Sequence, residues 1–242
     1  MGEPELLSPA GDRERLDMAL AYGADAVYLA GNAYGMRAFA GNFGREDLAE
    51  AVRLAHAQGV RVHVTCNTLA RNGEIAALPE YLEFLDGIGA DAVIAAGVDV
   101  LSLCQRHAPH VQVHMSTQTG ITNYEMARVW RELGASRVIL ARELSLEEVA
   151  EICAKAPRGL EVECFVHGAM CVSYSGRCLL SNYMTGRDAA RGACAQPCRY
   201  RYSLVEEKRP GEYFPILEEG GETFILNSRD MCMIDHIPEL IQ

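Results

Sequence analysis

Long apolar runs are missing from this sequence. No stretch approaches the roughly 18 uninterrupted apolar residues of a membrane-spanning helix. Met1 is followed by Gly2, Glu3, Pro4 and Glu5, not by a basic segment and an apolar core, so the expectation is a cytoplasmic chain with no membrane partner. Positive charge is scarce: 22 Lys and Arg against 33 Asp and Glu leave a net charge of −11. That balance argues against binding nucleic acid over the whole surface through phosphate neutralisation, while leaving room for one local basic site. Three motifs with dedicated chemistry are also absent. Without a Gly-x-Gly-x-x-Gly turn there is no dinucleotide fingerprint, and without His-Glu-x-x-His or Gly-x-Ser-x-Gly there is no zinc-protease helix or nucleophile elbow.

What is present is ordinary globular composition, 49% hydrophobic and 23% charged with 22 Gly and 9 Pro, which excludes disorder, collagen and coiled coil. The 242 residues suit one large domain. Short β-branched runs at 5–8, 25–30, 61–65, 92–96, 112–115, 137–141 and 160–166 alternate with amphipathic stretches at 13–22, 45–58, 74–87, 99–107, 123–133 and 145–155. Gly23, Gly59 and Gly134 follow three of these stretches, as glycines that stop a helix before the next strand do. Seven successive βα units without a dinucleotide fingerprint predict an α/β fold, a (β/α)8-type, TIM-like barrel. Chemistry in such barrels gathers at the C-terminal ends of the strands, which draws attention to Ser8, Arg37, Asn42, Asn67, His114, Ser116, Gln118, Arg142, Glu143 and His167.

After the seventh strand the composition changes. Residues 1–170 read as barrel units, 171–202 as a Cys- and Arg-rich insertion, and 203–242 as a hairpin-like segment running into the start of a helix at 231–242. The hairpin is expected to join runs at 202–205 and 223–226 through the polar stretch 206–222. An eighth strand and a final helix cap are not found, so the barrel is expected to be incomplete at the C-terminus, as a piece of a longer chain.

Nine cysteines are many for a reducing compartment, where disulfides are rare. Cys66, Cys104, Cys153 and Cys164 fall in predicted strands or helices and read as core thiols. Cys171, Cys178, Cys194 and Cys198 crowd into 28 residues of loop-like sequence, with Cys232 as a fifth possibility. Four thiolates can hold zinc or an iron–sulfur cluster, and spacing separates the two poorly, although only Cys194-x3-Cys198 has the short spacing of a zinc knuckle. Arg201 stands where a radical-SAM motif would need its third Cys. Within the insertion Arg177, Arg187, Arg191, Arg199 and Arg201 face the single acid Asp188, a local excess of four positive charges interleaved with Tyr174, Tyr183, Tyr200 and Tyr202. Such a mixture suits either single-stranded RNA or the charge balance of a thiolate-ligated cluster.

The run Glu163-Cys164-Phe165-Val166-His167-Gly168-Ala169-Met170-Cys171-Val172-Ser173-Tyr174-Ser175-Gly176-Arg177-Cys178 resembles the signature of the collagenase-like family of peptidases of unassigned catalytic type. The opening Glu5-Leu6-Leu7-Ser8-Pro9-Ala10-Gly11, the run Gly23-Ala24-Asp25-Ala26-Val27-Tyr28, Ser116-Thr117-Gln118, Leu140-Ala141-Arg142-Glu143-Leu144 and Gly192-Ala193-Cys194-Ala195-Gln196-Pro197-Cys198-Arg199 extend the likeness over the whole chain. Arg209-Pro210-Gly211-Glu212-Tyr213 and Asn227-Ser228-Arg229-Asp230 are similar to the branch of the family that hydroxylates tRNA. The resemblance implies oxygen-independent formation of 5-hydroxyuridine at the wobble position, prephenate as hydroxyl donor, and a [4Fe–4S] cluster. Related members act on ribosomal RNA or on a quinone ring. It also implies a further strand beyond Gln242.

On this footing Cys171, Cys178, Cys194 and Cys198 are the expected cluster ligands, with Cys232 as substitute. Arg37 and Arg142, with Asn67, Ser116, Arg177 and Arg199, are the expected contacts to the dicarboxylate and the RNA. His114, Gln118, His167 and Glu163 are the expected orienting or proton-transferring groups, the histidines titrating near neutrality. Glu163 and Glu143 could equally be structural partners of Arg37 and Arg142. Two other classes stay open: a peptidase pairing His167 with Cys171 or Cys178, and a metal module that docks RNA or a partner without turnover.

Overall fold

A computed structural model describes residues 4–36, 42–171, 173–174, 177–200, 202–215 and 230–241. Seven strands lie side by side in chain order, each parallel to the next: β1 (Leu7–Pro9), β2 (Ala26–Leu29), β3 (Arg61–Cys66), β4 (Ala92–Ala95), β5 (Gln112–Met115), β6 (Arg137–Ile139) and β7 (Glu161–Glu163). The helices between them are α1 (Arg13–Ala21), α2 (Arg45–His56), α3 (Asn72–Ile75), α4 (Leu78–Gly87), α5 (Val98–His107), α6 (Tyr124–Glu132) and α7 (Leu146–Lys155). This is the TIM-like α/β sheet expected from the alternation, curled but not closed, with β1 and β7 as its edges. No helix among the described residues is long and apolar enough to cross a membrane.

Local chemistry accounts for the helix boundaries. Asp12 and Asn123 cap α1 and α6 through the backbone N–H groups of Arg15 and Met126, and Ser145 with Glu148 forms a capping box at α7. Gly23, Gly59 and Gly134 take the positive φ that their sequence position implied. The stretch expected as one helix over 74–87 is split. Pro79 has no N–H to offer the carbonyl four residues earlier, so α3 ends and α4 begins afresh with Pro79 in its first turn.

Alternation along the strands sorts the two faces of the sheet. Val62, Val64, Cys66, Val93, Ala95, Val113, Met115 and Val138 join Leu48, Val52, Leu82, Leu85 and Leu101 in one apolar cluster between sheet and helices. The alternate positions face the barrel interior, where buried His63, Thr65, His114 and Arg137 stand among the apolar Ala92, Ile94 and Ile139. Arg137 organises this interior. Its Nη1 donates to Glu5 at 2.6 Å and to Glu163 at 3.0 Å, and its Nη2 donates to Glu161 at 2.5 Å. Glu5 precedes β1 and also pairs with Arg61, so one guanidinium links both edges of the sheet.

Beyond β7 the chain leaves the barrel pattern. β8 (His167–Ala169) pairs antiparallel with β11 (Asp230–Cys232), with α8 (Leu180–Thr185), β9 (Ser203–Leu204) and β10 (Phe214–Pro215) between them and α9 (Ile237–Ile241) last. Two segments here differ from expectation. The strand at 203–204 pairs with Phe214–Pro215, inside the stretch expected to be a connection, and the run at 223–226 lies outside the described residues. The segment from 231, expected to be helical, starts as a strand because β8 offers it a ladder, and α9 begins only at Ile237.

Arg137→Ala is expected to destabilise the fold by about 3–5 kcal/mol, because it leaves buried carboxylates without their counter-charge. Burial already raises the pKa of Glu163, while Arg137 opposes the rise. A carboxylate raised on folding favours the folded state at low pH, so the loss should shrink on acidification. Urea unfolding of both proteins across the acid range checks this, and an unchanged midpoint would remove Arg137 from its assigned role.

Candidate functional site

At the C-terminal end of the strands, backbone and side chains build a small polar platform. Ser116 is buried and accepts from the Gln118 N–H, capping the turn Thr117–Thr119, while Thr117 Oγ1 donates to the Leu140 carbonyl at 2.9 Å. This ties the loop after β5 to the end of β6. Two buried polar atoms there have no partner among the described residues: Gln118 Oε1 and Arg142 Nε. The Arg142 guanidinium lies over the Phe165 ring, 5.8 Å from its centroid. Across the mouth Asn67 Oδ1 accepts from the Met36 N–H at 3.3 Å, bracing the loop after β2. Arg37 falls outside the described residues.

The histidines differ from expectation. His114 is buried edge-on to His63, with ring centroids 4.6 Å apart, and Nδ1 of each ring has no hydrogen-bond partner among the described residues. Burial, aided by His63, Arg137 and Arg61, pushes His114 down to about 2. Burial, with Arg137 and Arg61, pushes His63 down to about 4. His114 is therefore a neutral ring at physiological pH and not the group titrating near neutrality that its residue type suggested. His63 escaped the sequence reading, although the alternation of β3 places it on the inner face with Thr65. His167 is exposed on the ribbon opposite Cys232, and Glu163 pairs with Arg137 and not with Arg142.

The insertion sits on the loops that follow β2 and β3. Arg191 holds Glu74 with two bonds of 2.5 and 3.1 Å, Arg71 reaches Asp188 at 3.4 Å, and the Leu69 N–H donates to the Ala190 carbonyl. Gly192 has φ +77° and packs so tightly that an added Cβ would stand 2.7 Å from the Gly35 carbonyl oxygen. Arg177 Nε donates to the Gln118 carbonyl at 2.8 Å, joining the insertion to the platform beside β5. Arg187 donates to the carbonyls of Ala193 and Cys194, and Arg199 to the Met170 carbonyl and to Asp230. Arg177, Arg187, Arg191 and Arg199 thus staple the insertion to itself and to the barrel.

These staples gather the thiols. Burial raises Cys198, and the neighbouring thiols of Cys171, Cys194 and Cys178 add to the rise against Arg199. Burial also opposes ionisation of Cys178, yet the Ser173 side chain and the N–H groups of Leu180 and Ser181 hold it below its ordinary value. The Leu180 N–H lies 3.3 Å from Cys178 Sγ, and the Gln196 N–H lies 3.3 Å from Cys194 Sγ. Tetrahedral zinc, with Zn–S near 2.3 Å, needs thiolates within about 4 Å of one another. Among the described residues no three Cys, His, Asp or Glu side chains converge closely enough for a single ion. Cys171, Cys178 and Cys194 lie near enough to Cys198 to raise its pKa, and backbone N–H groups are aimed at the sulfurs of Cys178 and Cys194, the donor set and environment that thiolate-held iron–sulfur clusters use. Cys232 is exposed on the β8–β11 ribbon.

Acid lability follows from the histidine pair. Unfolded, both rings take a proton near pH 6.5, whereas folded they refuse it until about 4 and about 2. Their stabilisation is fully present above about pH 6.5 and is lost as pH falls, at up to about 2.7 kcal/mol per pH unit for the pair. Urea midpoints at about pH 7, 6 and 5 should fall in that order, and the double variant His63→Gln/His114→Gln should lose much of the slope. For the insertion, Gly192→Ala costs about 1–2 kcal/mol in backbone strain alone. Proteolysis should quicken within 171–202 while unfolding of the barrel stays unchanged.

The solved structure of the U32 peptidase Mk0906 matches this fold with a TM-score of 0.59, covering 90% of this chain and 89% of its own at 16% identity, a likeness of architecture alone. Among curated proteins, tRNA hydroxylation protein P1 of Bacillus subtilis is 42% identical over 240 residues, which is 99% of this chain and 56% of that protein. The 23S rRNA 5-hydroxycytidine C2501 synthase of Escherichia coli is 38% identical over 204 residues, 84% of this chain and 30% of that enzyme. The chain thus spans little more than half the length of the first of these relatives and under a third of the second. With the family description matching from Gly11 to Gln242, just past β1 and through the barrel and the four-thiol insertion, the chain belongs to peptidase family U32.

Proposed function

We propose that this chain carries the catalytic barrel of an RNA hydroxylase acting on tRNA, forming 5-hydroxyuridine at the wobble position without molecular oxygen and with prephenate as hydroxyl donor. The observation that carries the reading is the pair of unpartnered buried atoms, Gln118 Oε1 and Arg142 Nε, at the mouth to which Arg177 ties the thiol-bearing insertion. A buried donor and a buried acceptor without protein partners are costly and call for a polar ligand. A small dicarboxylate meets the demand: its carboxylate accepts from Arg142, and its hydroxyl donates to Gln118. Ser116 holds the Gln118 loop and Asn67 braces the opposite one, while Arg37, the second cation expected from the sequence, lies outside the described residues. The neutral His63 and His114 lie deeper in the barrel, toward Arg61 and Arg137, and add no charge to the mouth.

Cys171, Cys178, Cys194 and Cys198 would hold a [4Fe–4S] cluster, and the N–H donors to sulfur would tune it. Bound there, such a cluster would supply electron transfer or Lewis-acid polarisation. The named relatives that hydroxylate tRNA and make a hydroxylated ribosomal nucleoside support an RNA substrate. The peptidase alternative requires a thiol activated by histidine, and no histidine is among the groups that set the acidity of Cys178, one of the two thiols it would use.

Deleting the gene in its host and digesting tRNA for mass spectrometry should show loss of 5-hydroxyuridine and of modifications built on it. Wild type should restore the nucleoside, whereas Cys171→Ala and Arg142→Ala should not. Anaerobically purified protein should be brown, with about four irons and acid-labile sulfide. A lesion confined to ribosomal RNA would move the substrate to the second relative's class. Peptide cleavage with intact nucleosides would replace the reading by the peptidase.

A further inference from the structure

We infer that the outward face of α8 is a stacking platform for one unstacked nucleotide of the RNA, with Tyr183 as its ring and Leu179 as its flank; this rests on the RNA reading above. Tyr183 is 90% exposed and Leu179 is 79% exposed, the most open of the large apolar side chains in the insertion. They stand four residues apart, joined by the Tyr183 N–H to the Leu179 carbonyl at 2.9 Å, and so share one helix face. The opposite face is anchored. Ser181, two residues before Tyr183 and therefore about 200° round the helix, is fully buried and accepts from the Ala195 N–H at 2.9 Å. The start of α8 is tied to the thiols as well, because the Leu180 N–H donates to Cys178 Sγ. The helix is thus held on one side by the proposed cluster loop and presents a bare aromatic ring on the other, five residues along the chain from Cys178.

Charge decides what covers that ring. The body of the protein is anionic, at −11, and repels a polyphosphate. The insertion reverses the sign locally, which relieves the repulsion there, but Arg177, Arg187, Arg191 and Arg199 already donate to carbonyl or carboxylate groups. RNA held at this place gains mainly from a base on a ring and less from phosphates on free cations. A folded protein partner is a poorer occupant. A stable protein interface buries roughly 800 Å² per side, far more than one tyrosine and one leucine supply. A single unstacked base matches one exposed ring, and its stacking requires no particular sequence.

The test measures binding of a fluorescein-labelled anticodon stem-loop RNA to the anaerobically purified protein. Tyr183→Ala should raise Kd roughly tenfold, Tyr183→Phe should restore it, and Tyr183→Leu should not, since a branched aliphatic chain keeps apolar area but has no ring face. The slope of log Kd against log salt should be the same for wild type and Tyr183→Ala, because no phosphate contact is removed. Unchanged iron content and thermal unfolding in the three variants would show that the open side chain supports neither the cluster nor the fold. Wild-type affinity in Tyr183→Ala, or rescue by Leu as full as by Phe, overturns the platform while leaving the RNA substrate standing. Wild-type protein that ignores the RNA altogether overturns both.

Discussion

A guanidinium at the centre of an unclosed barrel is the contact on which this architecture depends. Arg137 enters from β6, is buried, and meets Glu5 ahead of β1 and Glu161 and Glu163 on β7. The two edge strands of the sheet have no ladder between them, so their proximity on this side rests on a shared cation. Such a contact is costly to assemble, because each charge must leave water, and it holds only while its partners are all present. The apolar cluster between sheet and helices supplies the larger driving force, but it acts on the outer face of each strand and does not bring β1 toward β7.

The polar interior reaches the mouth through neutral and unsatisfied groups. In many barrels the interior is filled by branched aliphatic side chains. Here His63, His114 and Thr65 occupy inner positions, and at the rim Gln118 and Arg142 are left with open hydrogen-bonding capacity. Burial strips the two imidazoles of their usual acid–base role while keeping them polar. The rim then becomes the place for charge, and the thiol-bearing insertion is tied to it where Arg177 donates to the Gln118 carbonyl. Its seat depends on close approach at Gly192 and on the paired bonds of Arg191 to Glu74, so a backbone contact and an ion pair together bring Cys171, Cys178, Cys194 and Cys198 to one end of the sheet.

The sequence by itself determined the seven-unit βα order, most element boundaries and the four clustered thiols, because these are written in local signals: period-2 and period-3.6 patterning, caps, helix-stopping glycines and short cysteine spacing. It failed where long-range pairing decides. The strand at Asp230–Cys232 exists only because His167–Ala169 lies beside it, and Phe214–Pro215 is a strand only against Ser203–Leu204. Residue type alone could not tell whether His114 titrates near neutrality, since that depends on desolvation by neighbours distant in the chain. Nor could it tell whether the arginines of the insertion are free for a ligand or already bound to carbonyls and carboxylates, because Gln118 is 59 residues from Arg177 and Glu74 is 117 from Arg191. Patterning reports which face a side chain takes, whereas the partner it meets there is set by how the faces come together, and only the tertiary structure decided that.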